Sequence, residues 1–392
     1  MKKIAIIPPG TLPLPPVQGG AVENLIDLFR KKNEGSAKIN LTLFSIDTPA
    51  ARKQAYNTVN TNYYFIKIPF LVCWLDLINF WFVQHVFHKQ NSRSYRYIFQ
   101  RLYFILKIAL QLKHGEYDRV ILENHTSLLL ALKLFKNDRK YRGRYYYHIH
   151  NRINSFYGCE TIFSHCAGII GVSSYILSTL PAIASQTPKY ILKNRVDEKI
   201  FHQNYSFATL NRARNNLNLQ NQKIVLFTGR LSKEKGIDAL LSAWKQLNLS
   251  NATLLIVGNS FFKSGVHTDF EKKLMSLASG SKNIRFTGFL NYQQMPLIYQ
   301  LADLVVLPSI WDDPAPLTVI ETLTMGKKLI TTNAGGIPEY VDKNTVILNR
   351  DRDLVKNLAR AIEQKLNNNH QIKPVNWNFK DYYQQLLKIL KV

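Results

Sequence analysis

The chain has 392 residues, of which 46% are hydrophobic and 20% charged, and these values exclude a disordered chain and predict about two globular domains. Three cysteines without a C-x-x-C pair predict neither a disulfide framework nor a zinc site, and they indicate a reducing compartment. The formal net charge is +25. Residues 1–196 hold 26 Lys+Arg against 10 Asp+Glu, a difference of +16.

An excess of basic residues of this size is typical of proteins that bind nucleic acid, an anionic membrane surface or phosphorylated substrates. Neither zinc-finger spacing nor an aromatic RNA-binding pattern occurs in the sequence, so nucleic acid is not predicted as a partner. An anionic membrane or a lipid phosphate stays open beside a simple solvated basic surface.

The N-terminus begins with a predicted strand, Lys3–Ile7, followed by a proline-rich loop and by Gly19-Gly20 at the start of a helix. Lys2-Lys3 precedes too short an apolar run for a signal peptide. A glycine pair at a helix start lets the backbone approach a phosphate, although glycine often serves only to make a turn.

The most apolar run of the chain is Pro69–Phe87, and Asp76, Asn79, Gln84 and His85 interrupt it. So many polar groups argue against a transmembrane helix. The next predicted helix, Arg93–Lys113, mixes aromatic and cationic residues, as interfacial helices do. Two interpretations stay open: a surface that lies on a membrane, or two helices buried against the core.

Two histidines end a predicted strand, Arg144–Ile149, where His148 and His150 alternate onto the same side. A pair two residues apart suggests a metal, but no third ligand follows nearby in the sequence, so no metal site is predicted. A histidine that is merely hydrogen-bonded at a domain edge is the plain alternative.

From Lys223 the chain alternates strand and helix, which predicts a parallel, doubly wound sheet and the α/β class. The predicted strands are Ile224–Phe227, Leu254–Val257, Ile284–Phe286, Leu304–Leu307, Leu329–Thr332 and Val346–Leu348.

Charged residues follow two of these strands, at the sheet edge where doubly wound folds bind ligands. Arg230 and Lys235 follow the first strand, and a guanidinium and an ammonium can both bind phosphate oxygens. Asp313 precedes a helix whose free N–H groups, at Leu317 and Thr318, favour an anion.

The stretch Asp313-x7-Glu321, with Gly335-Gly336 behind it, resembles the donor site of family-4 glycosyltransferases of the GT-B fold. The loop Gly229–Gly236 resembles their Gly-Arg and Lys-Gly pairs, and Val257–Ser260 resembles their second glycine turn. The family usually has Glu where this chain has Asp313, and Phe-Gly where it has Ala315 and Pro316.

The resemblance implies two Rossmann-like, doubly wound domains that face each other across a cleft. An acceptor-binding domain spans 1–196, a nucleotide-sugar-binding domain 197–376, and a helix at 377–392 crosses back to the first domain. Carried over by position, the catalytic group comprises Arg230, Lys235, Asp313 and His150, and the donor-binding group comprises Gly19, Gly20, Gly229, Gly258, Thr287, Leu317, Thr318 and Glu321.

The implied reaction is transfer of a sugar, with retention, from a nucleotide diphosphate sugar to a glycan hydroxyl. Neither a cofactor nor a metal is implied, because the acidic residues of the predicted sugar-binding loop, Asp312 and Asp313, are adjacent and do not form an Asp-x-Asp triplet. The implied acceptor is a lipid-linked pyrophosphate glycan of cell-surface polysaccharide assembly, and the implied location is the cytoplasm, at the inner face of the cell membrane. A nucleotide-sugar epimerase of the same fold and a non-catalytic partner subunit are the alternatives.

Overall fold

A computed structural model describes residues 1–85, 96–220, 222–247, 249–259, 269–368, 372–377 and 379–392. The chain forms two compact units. The first consists of Met1–Val172, Ile176–Lys193 and Lys380–Val392, and the second of Ser173–Tyr175 and Asn194–Phe379. The sequence predicted boundaries at 196/197 and 376/377, whereas the units change at 193/194 and 379/380.

The first unit contains a sheet of seven strands, all parallel, in the order β3-β2-β1-β4-β5-β6-β7. Its strands are β1 (Lys2–Ile7), β2 (Ile39–Ile46), β3 (Thr61–Ile66), β4 (Arg119–Glu123), β5 (Tyr145–Ile149), β6 (Gly168–Gly171) and β7 (Lys189–Ile191). The inner strands are buried along most of their length, as strands covered by helices on both faces must be.

The second unit contains six parallel strands in the order β10-β9-β8-β11-β12-β13. They are β8 (Lys223–Thr228), β9 (Ala252–Val257), β10 (Ile284–Gly288), β11 (Leu304–Leu307), β12 (Lys328–Thr332) and β13 (Val346–Leu348). In both sheets the strand order reverses direction between the first and fourth strands, which is the switch point of a Rossmann fold. The predicted α/β class with two doubly wound sheets is confirmed.

The helices connect these parallel strands. They are α1 (Ala21–Ser36), α2 (Pro49–Ala55), α3 (Phe70–His85), α4 (Ile98–His114), α5 (Leu129–Lys133), α6 (Asn137–Lys140), α7 (Glu160–Ser164), α8 (Ser174–Ser178), α9 (Glu198–Phe201), α10 (Phe207–Asn216), α11 (Ile237–Gln246), α12 (Asp269–Ala278), α13 (Met295–Leu301), α14 (Leu317–Thr324), α15 (Leu354–Asn367) and α16 (Phe379–Ile389). None of the helices in these described ranges is both long enough and apolar enough to span a bilayer.

Strand β7 is an element that the sequence analysis missed. No strand is predicted at Lys189–Ile191, yet these residues pair with β6 at the edge of the first sheet. The strand has only three residues, and its two outer residues are exposed. Its sequence therefore lacks the run of buried apolar residues that predicts a strand. An edge strand this short is fixed by pairing with its neighbour rather than by its own sequence.

Helix α3 is mostly exposed, so the interpretation of two helices buried against the core is wrong for this helix. Its apolar side chains include Phe70, Trp74 and Trp81, which are 80%, 51% and 58% exposed. Its Asp76 is buried and accepts hydrogen bonds from the backbone N–H groups of Phe99 and Gln100 at the start of α4. Phe87 and Arg93 lie outside the described residues.

Residues 380–392, at the C-terminus, belong to the first unit. The Tyr383 hydroxyl donates to Asn33 Oδ1 at 2.9 Å, and its ring lies 5.1 Å from that of Phe29. Arg119 Nε donates to the Leu390 carbonyl at 2.7 Å. These contacts attach the last helix to α1 and to β4.

Candidate active site

The ends of β8 and β9 are brought into contact by two glycines. Gly229 and Gly258 have φ values of +147° and +140°, and a Cβ atom at Gly258 would lie 1.8 Å from the Gly229 carbonyl oxygen. Any larger residue at 258 would therefore force the two loops apart. Ser260 lies outside the described residues.

Lys235 follows β8 in a short turn, Lys233–Lys235, that ends at Gly236. Gly236 has φ +66°, and a Cβ there would lie 1.9 Å from the Pro308 carbonyl oxygen. This glycine therefore lets the loop after β8 lie directly against the end of β11. Its position brings Lys235 near residues almost eighty positions later in the chain.

Lys235 and Asp313 form the central contact of the site, with Nζ 2.5 Å from Oδ2. Both side chains are largely buried, 22% and 11% exposed. They line a small recess together with Thr228, Ser309, Pro316 and Thr318, among other residues. The structure thus brings together two of the four predicted catalytic residues.

The acidic loop that carries Asp313 is fixed from several sides. Gly336 N–H donates to the Asp313 carbonyl at 2.9 Å, and Arg350 forms an ion pair of 2.7 Å with Asp312. A Cβ at Gly336 would lie 2.0 Å from the Pro314 carbonyl oxygen, so the glycine pair is needed for this close packing. Sequence analysis did not single out Arg350, because a lone arginine after a strand carries no signal in so basic a chain.

Helix α14 begins at Leu317, with Thr318 in its first turn, directly behind Asp313. Glu321, one turn on, is buried, and Tyr299 donates to its Oε2 at 2.8 Å. Burial raises the pKa of Glu321 to about 7, although hydrogen bonds from Tyr299 and Tyr292 oppose the rise. A carboxyl group at this position can accept from two neighbouring hydroxyls once it is ionised.

Arg230 and Thr287 are not among the described residues that line the recess. The Arg230 side chain is 57% exposed, and its guanidinium lies 3.8 Å from the Glu234 carboxylate. Thr287 lies in the edge strand β10, where its hydroxyl donates to the Gly288 carbonyl. Their predicted contacts with a donor remain predictions.

In the first unit, Gly19 and Gly20 precede α1 with φ values of +82° and +109°. A Cβ at Gly20 would lie 2.2 Å from Glu23 Oε2, so a carboxyl group already occupies the space beside this glycine. Burial raises the pKa of Glu23 to about 7, and the charge of Glu123 adds to the rise. Two acidic groups near this helix start make it less favourable for a phosphate than the sequence suggested.

His150 lies against Glu123, at the end of β4, and is hydrogen-bonded to it. His150 Nε2 and His148 Nδ1 each lie 3.0 Å from the same oxygen, Glu123 Oε2. The three residues offer ligand atoms within 4.8 Å of one another, so the expectation that a third potential ligand is lacking was wrong. The missed signal was strand pairing, because Glu123 lies opposite His148 in the register of β4 and β5.

Comparison with known proteins gives this geometry a context. Residues 210–381 match the family described as glycosyl transferases group 1. Spore coat protein SA of Bacillus subtilis (strain 168) is 26% identical, over 94% of this chain and 91% of its own. The lipopolysaccharide 1,2-N-acetylglucosaminetransferase of Salmonella typhimurium is 34% identical, over 33% of this chain and 35% of its own. Anabaena Alr3699/HepE, solved in complex with UDP and glucose, superimposes with a TM-score of 0.68 at 17% identity, covering 100% of this chain and 98% of that one.

These comparisons support a glycosyltransferase of group 1. The matched range contains every second-unit residue predicted for the donor site, from Gly229 to Glu321. The GT-B fold is confirmed by the solved structures, whose similarity extends over both units. The comparisons do not favour the alternative of a nucleotide-sugar epimerase.

Proposed function

We propose that this protein is a retaining, metal-independent glycosyltransferase that moves a sugar from a nucleotide diphosphate sugar to a hydroxyl of a glycan acceptor. The bond between the anomeric carbon and the diphosphate oxygen breaks, and a bond to the acceptor oxygen forms. The nucleoside diphosphate leaves with the bonding electrons, and an oxygen of this diphosphate takes up the proton that the acceptor hydroxyl loses.

The observation that carries this proposal is the contact of Lys235 with Asp313 beside the start of α14. An ammonium and free helix N–H groups are the donors that stabilise negative charge on a leaving diphosphate. Asp313 and a diphosphate compete for the same ammonium, so donor binding releases the carboxylate toward the sugar hydroxyls. In this proposal Arg230 supplies the second cation and Glu321 accepts from the ribose hydroxyls.

The decisive experiment is a panel of nucleotide sugars offered to the purified full chain. Binding is followed by thermal shift, turnover by release of nucleoside diphosphate, and the anomeric configuration of the product by NMR. We expect one or a few donors to bind and to be consumed, with no change on adding EDTA. Binding without turnover of any donor would indicate a non-catalytic partner subunit. An epimerised free nucleotide sugar, formed without acceptor, would indicate an epimerase.

We also propose that the enzyme acts at the inner face of the cell membrane on a lipid-linked pyrophosphate glycan. The supporting observation is the exposed apolar face of α3, centred on Trp74 and Trp81. Cations lie close to it, since the Arg96 guanidinium is 5.7 Å from the Phe80 ring centroid. Aromatic side chains beside cations are typical of helices that lie in the membrane interface.

Vesicle flotation tests this location with phosphatidylcholine vesicles and with vesicles that contain phosphatidylglycerol. Each cation near an anionic surface contributes roughly 1 kcal/mol, screened by salt. We therefore expect recovery with anionic vesicles at low salt, and its loss at high salt or in a Trp74→Ser, Trp81→Ser double variant. Equal recovery with neutral and anionic vesicles would contradict the electrostatic part of the proposal.

A further inference from the structure

Three buried side chains of the first unit form a cluster, and only one of them, His150, belongs to the predicted catalytic group. Glu123, His148 and His150 are 4%, 2% and 9% exposed, and they lie at the ends of the paired strands β4 and β5. The two imidazole ring centroids are 4.2 Å apart. So many polar groups in an apolar interior must satisfy each other or bind a ligand.

The hydrogen positions in this cluster follow from the chemistry of its members. Burial alone would raise the pKa of Glu123, but the charge of His148 and the hydrogen bonds from both histidines lower it to about 2. An ionised carboxylate only accepts hydrogen bonds, so each ring nitrogen 3.0 Å from its Oε2 must carry a proton. His150 is thereby held as the Nε2–H form.

A divalent cation is the other occupant that such a cluster could hold. The geometry favours hydrogen bonds, because both distances of 3.0 Å to the carboxylate oxygen are ordinary hydrogen-bond lengths. Metal-binding histidines also donate their second ring nitrogen to a neighbouring acceptor. His148 Nε2 is buried and has no such partner among the described residues.

We propose that Glu123 is a positioning residue, which accepts the Nε2–H of His150 and so presents Nδ1 of that ring as a hydrogen-bond acceptor for a hydroxyl of the sugar substrate. The role of His150 toward the sugar rests on the proposed function. Burial lowers the pKa of His150 to about 4, and the neighbouring His148 adds to the effect. The ring is therefore neutral at physiological pH, and it recognises a hydroxyl donor rather than an anion.

The first measurement is the tautomer of His150, read from long-range proton–nitrogen spectra of full-length protein with ¹⁵N-labelled histidine. The His150→Gln variant assigns the signal. We expect the proton on Nε2 in the wild type. In Glu123→Gln a neutral amide oxygen, which is a weaker acceptor, replaces a carboxylate oxygen, and the added N–H₂ group favours an unprotonated ring nitrogen beside it. We therefore expect at least one histidine to change tautomer. Glu116→Gln, at an exposed carboxylate, is the matched control and should leave both rings unchanged.

The second measurement separates positioning from folding. With UDP-glucose, or another donor that the panel identifies, we expect Glu123→Gln to lower turnover roughly 10- to 100-fold, since a hydrogen bond to a charged group is lost. The affinity for UDP alone should not change, because the diphosphate is bound by the second unit. If Glu123→Gln fails to fold, Glu123→Asp keeps the charge but withdraws the oxygen, and it should also change the His150 signal.

A wild-type His150 with its proton on Nδ1 would overturn the inference, and so would one tightly bound zinc ion per chain that His150→Gln releases. A Glu123→Gln protein with unchanged spectra and unchanged turnover would do the same. Absence of turnover in the wild type would overturn the proposed function only, and the tautomer measurement would still decide the role of Glu123.

Discussion

The two units place different chemistry at the same position of the same fold. In each sheet the switch point lies between the first and fourth strands, β1 and β4 in one unit and β8 and β11 in the other. In the second unit the loops after these strands supply Lys235 and Asp313, an ammonium and a carboxylate. In the first unit the corresponding positions hold two carboxyl groups, Glu23 and Glu123, and the histidines of β5.

This difference in local charge supports the proposal that the second unit, and not the first, binds the anionic donor. The first unit is the more basic in total charge, but the ionised carboxylate of Glu123 lies at its switch point beside the carboxyl group of Glu23, and this negative charge disfavours a phosphate there. The second unit offers a cation and a helix start there. The net charge of a domain therefore predicts its surface interactions and not the ligand of its site.

The largest effect is expected from removing the cations of the second unit. Negative charge develops on the diphosphate as the glycosidic bond breaks, and donors aimed at that charge stabilise the transition state. We expect Lys235→Ala and Arg230→Ala each to lower kcat by about 10² to 10³ without loss of folding. Lys235→Arg should restore little activity, because a planar fork replaces a compact ammonium.

Lys233 provides the control for this experiment, since it lies in the same turn but does not line the recess. Steady-state turnover of Lys233→Ala should stay within a few-fold of wild type. If both the Lys235 and the Arg230 alanine variants kept normal turnover, the diphosphate would have to bind elsewhere. The contrast between the two switch points would then carry no functional meaning.

The sequence was sufficient to predict the fold and the elements that carry the second-unit site. Continuous apolar runs such as Leu304–Leu307 are strands at those residues, and Asp313 does precede a helix that starts at Leu317. Parallel strands that are buried on both faces appear in the sequence as continuous apolar runs, which are easy to recognise. The charged residues of the site were recognised because their spacing resembles that of the family.

What the sequence could not predict are contacts set by strand register and by burial. Glu123 meets His148 only because β4 and β5 pair in one register. Glu23 fills the space beside Gly20, which the sequence alone leaves open to a phosphate. Nor does the sequence show that Lys235 pairs with Asp313, since the two are far apart along the chain.

A smaller effect is expected at Asp313, the acidic partner in the second unit. A carboxylate with one CH₂ group fewer than Glu is withdrawn by roughly 1.5 Å, which lengthens any direct hydrogen bond to a sugar hydroxyl or inserts a water. We expect Asp313→Ala to lose about 10- to 100-fold in turnover, the value of a hydrogen bond to a charged group. Its affinity for nucleoside diphosphate, measured by calorimetry, should not weaken, because Lys235 is left with the diphosphate as its partner. Wild-type turnover in this variant would leave Asp313 as a structural group at the start of α14.

The smallest expected effect is on the pH dependence of folding stability, and it is tested at one buried carboxyl group in each unit. Burial raises the pKa values of Glu23 and Glu321 from 4.5 to about 7, so the folded protein binds more protons than the unfolded chain between these values. Stability therefore falls as the pH rises from about 4.5 to about 7, and it stays lower above. Because Gln stays neutral, Glu23→Gln and Glu321→Gln should each gain stability over wild type across this window, by at most about 3 kcal/mol at pH 8.

Denaturant midpoints at pH 5 and pH 8 give the difference, with exposed Glu116→Gln as the control that should follow wild type. If the curves of both variants run parallel to that of the wild type, the two carboxyl groups are ionised in the folded protein, and the acidic switch point of the first unit carries its full negative charge at neutral pH.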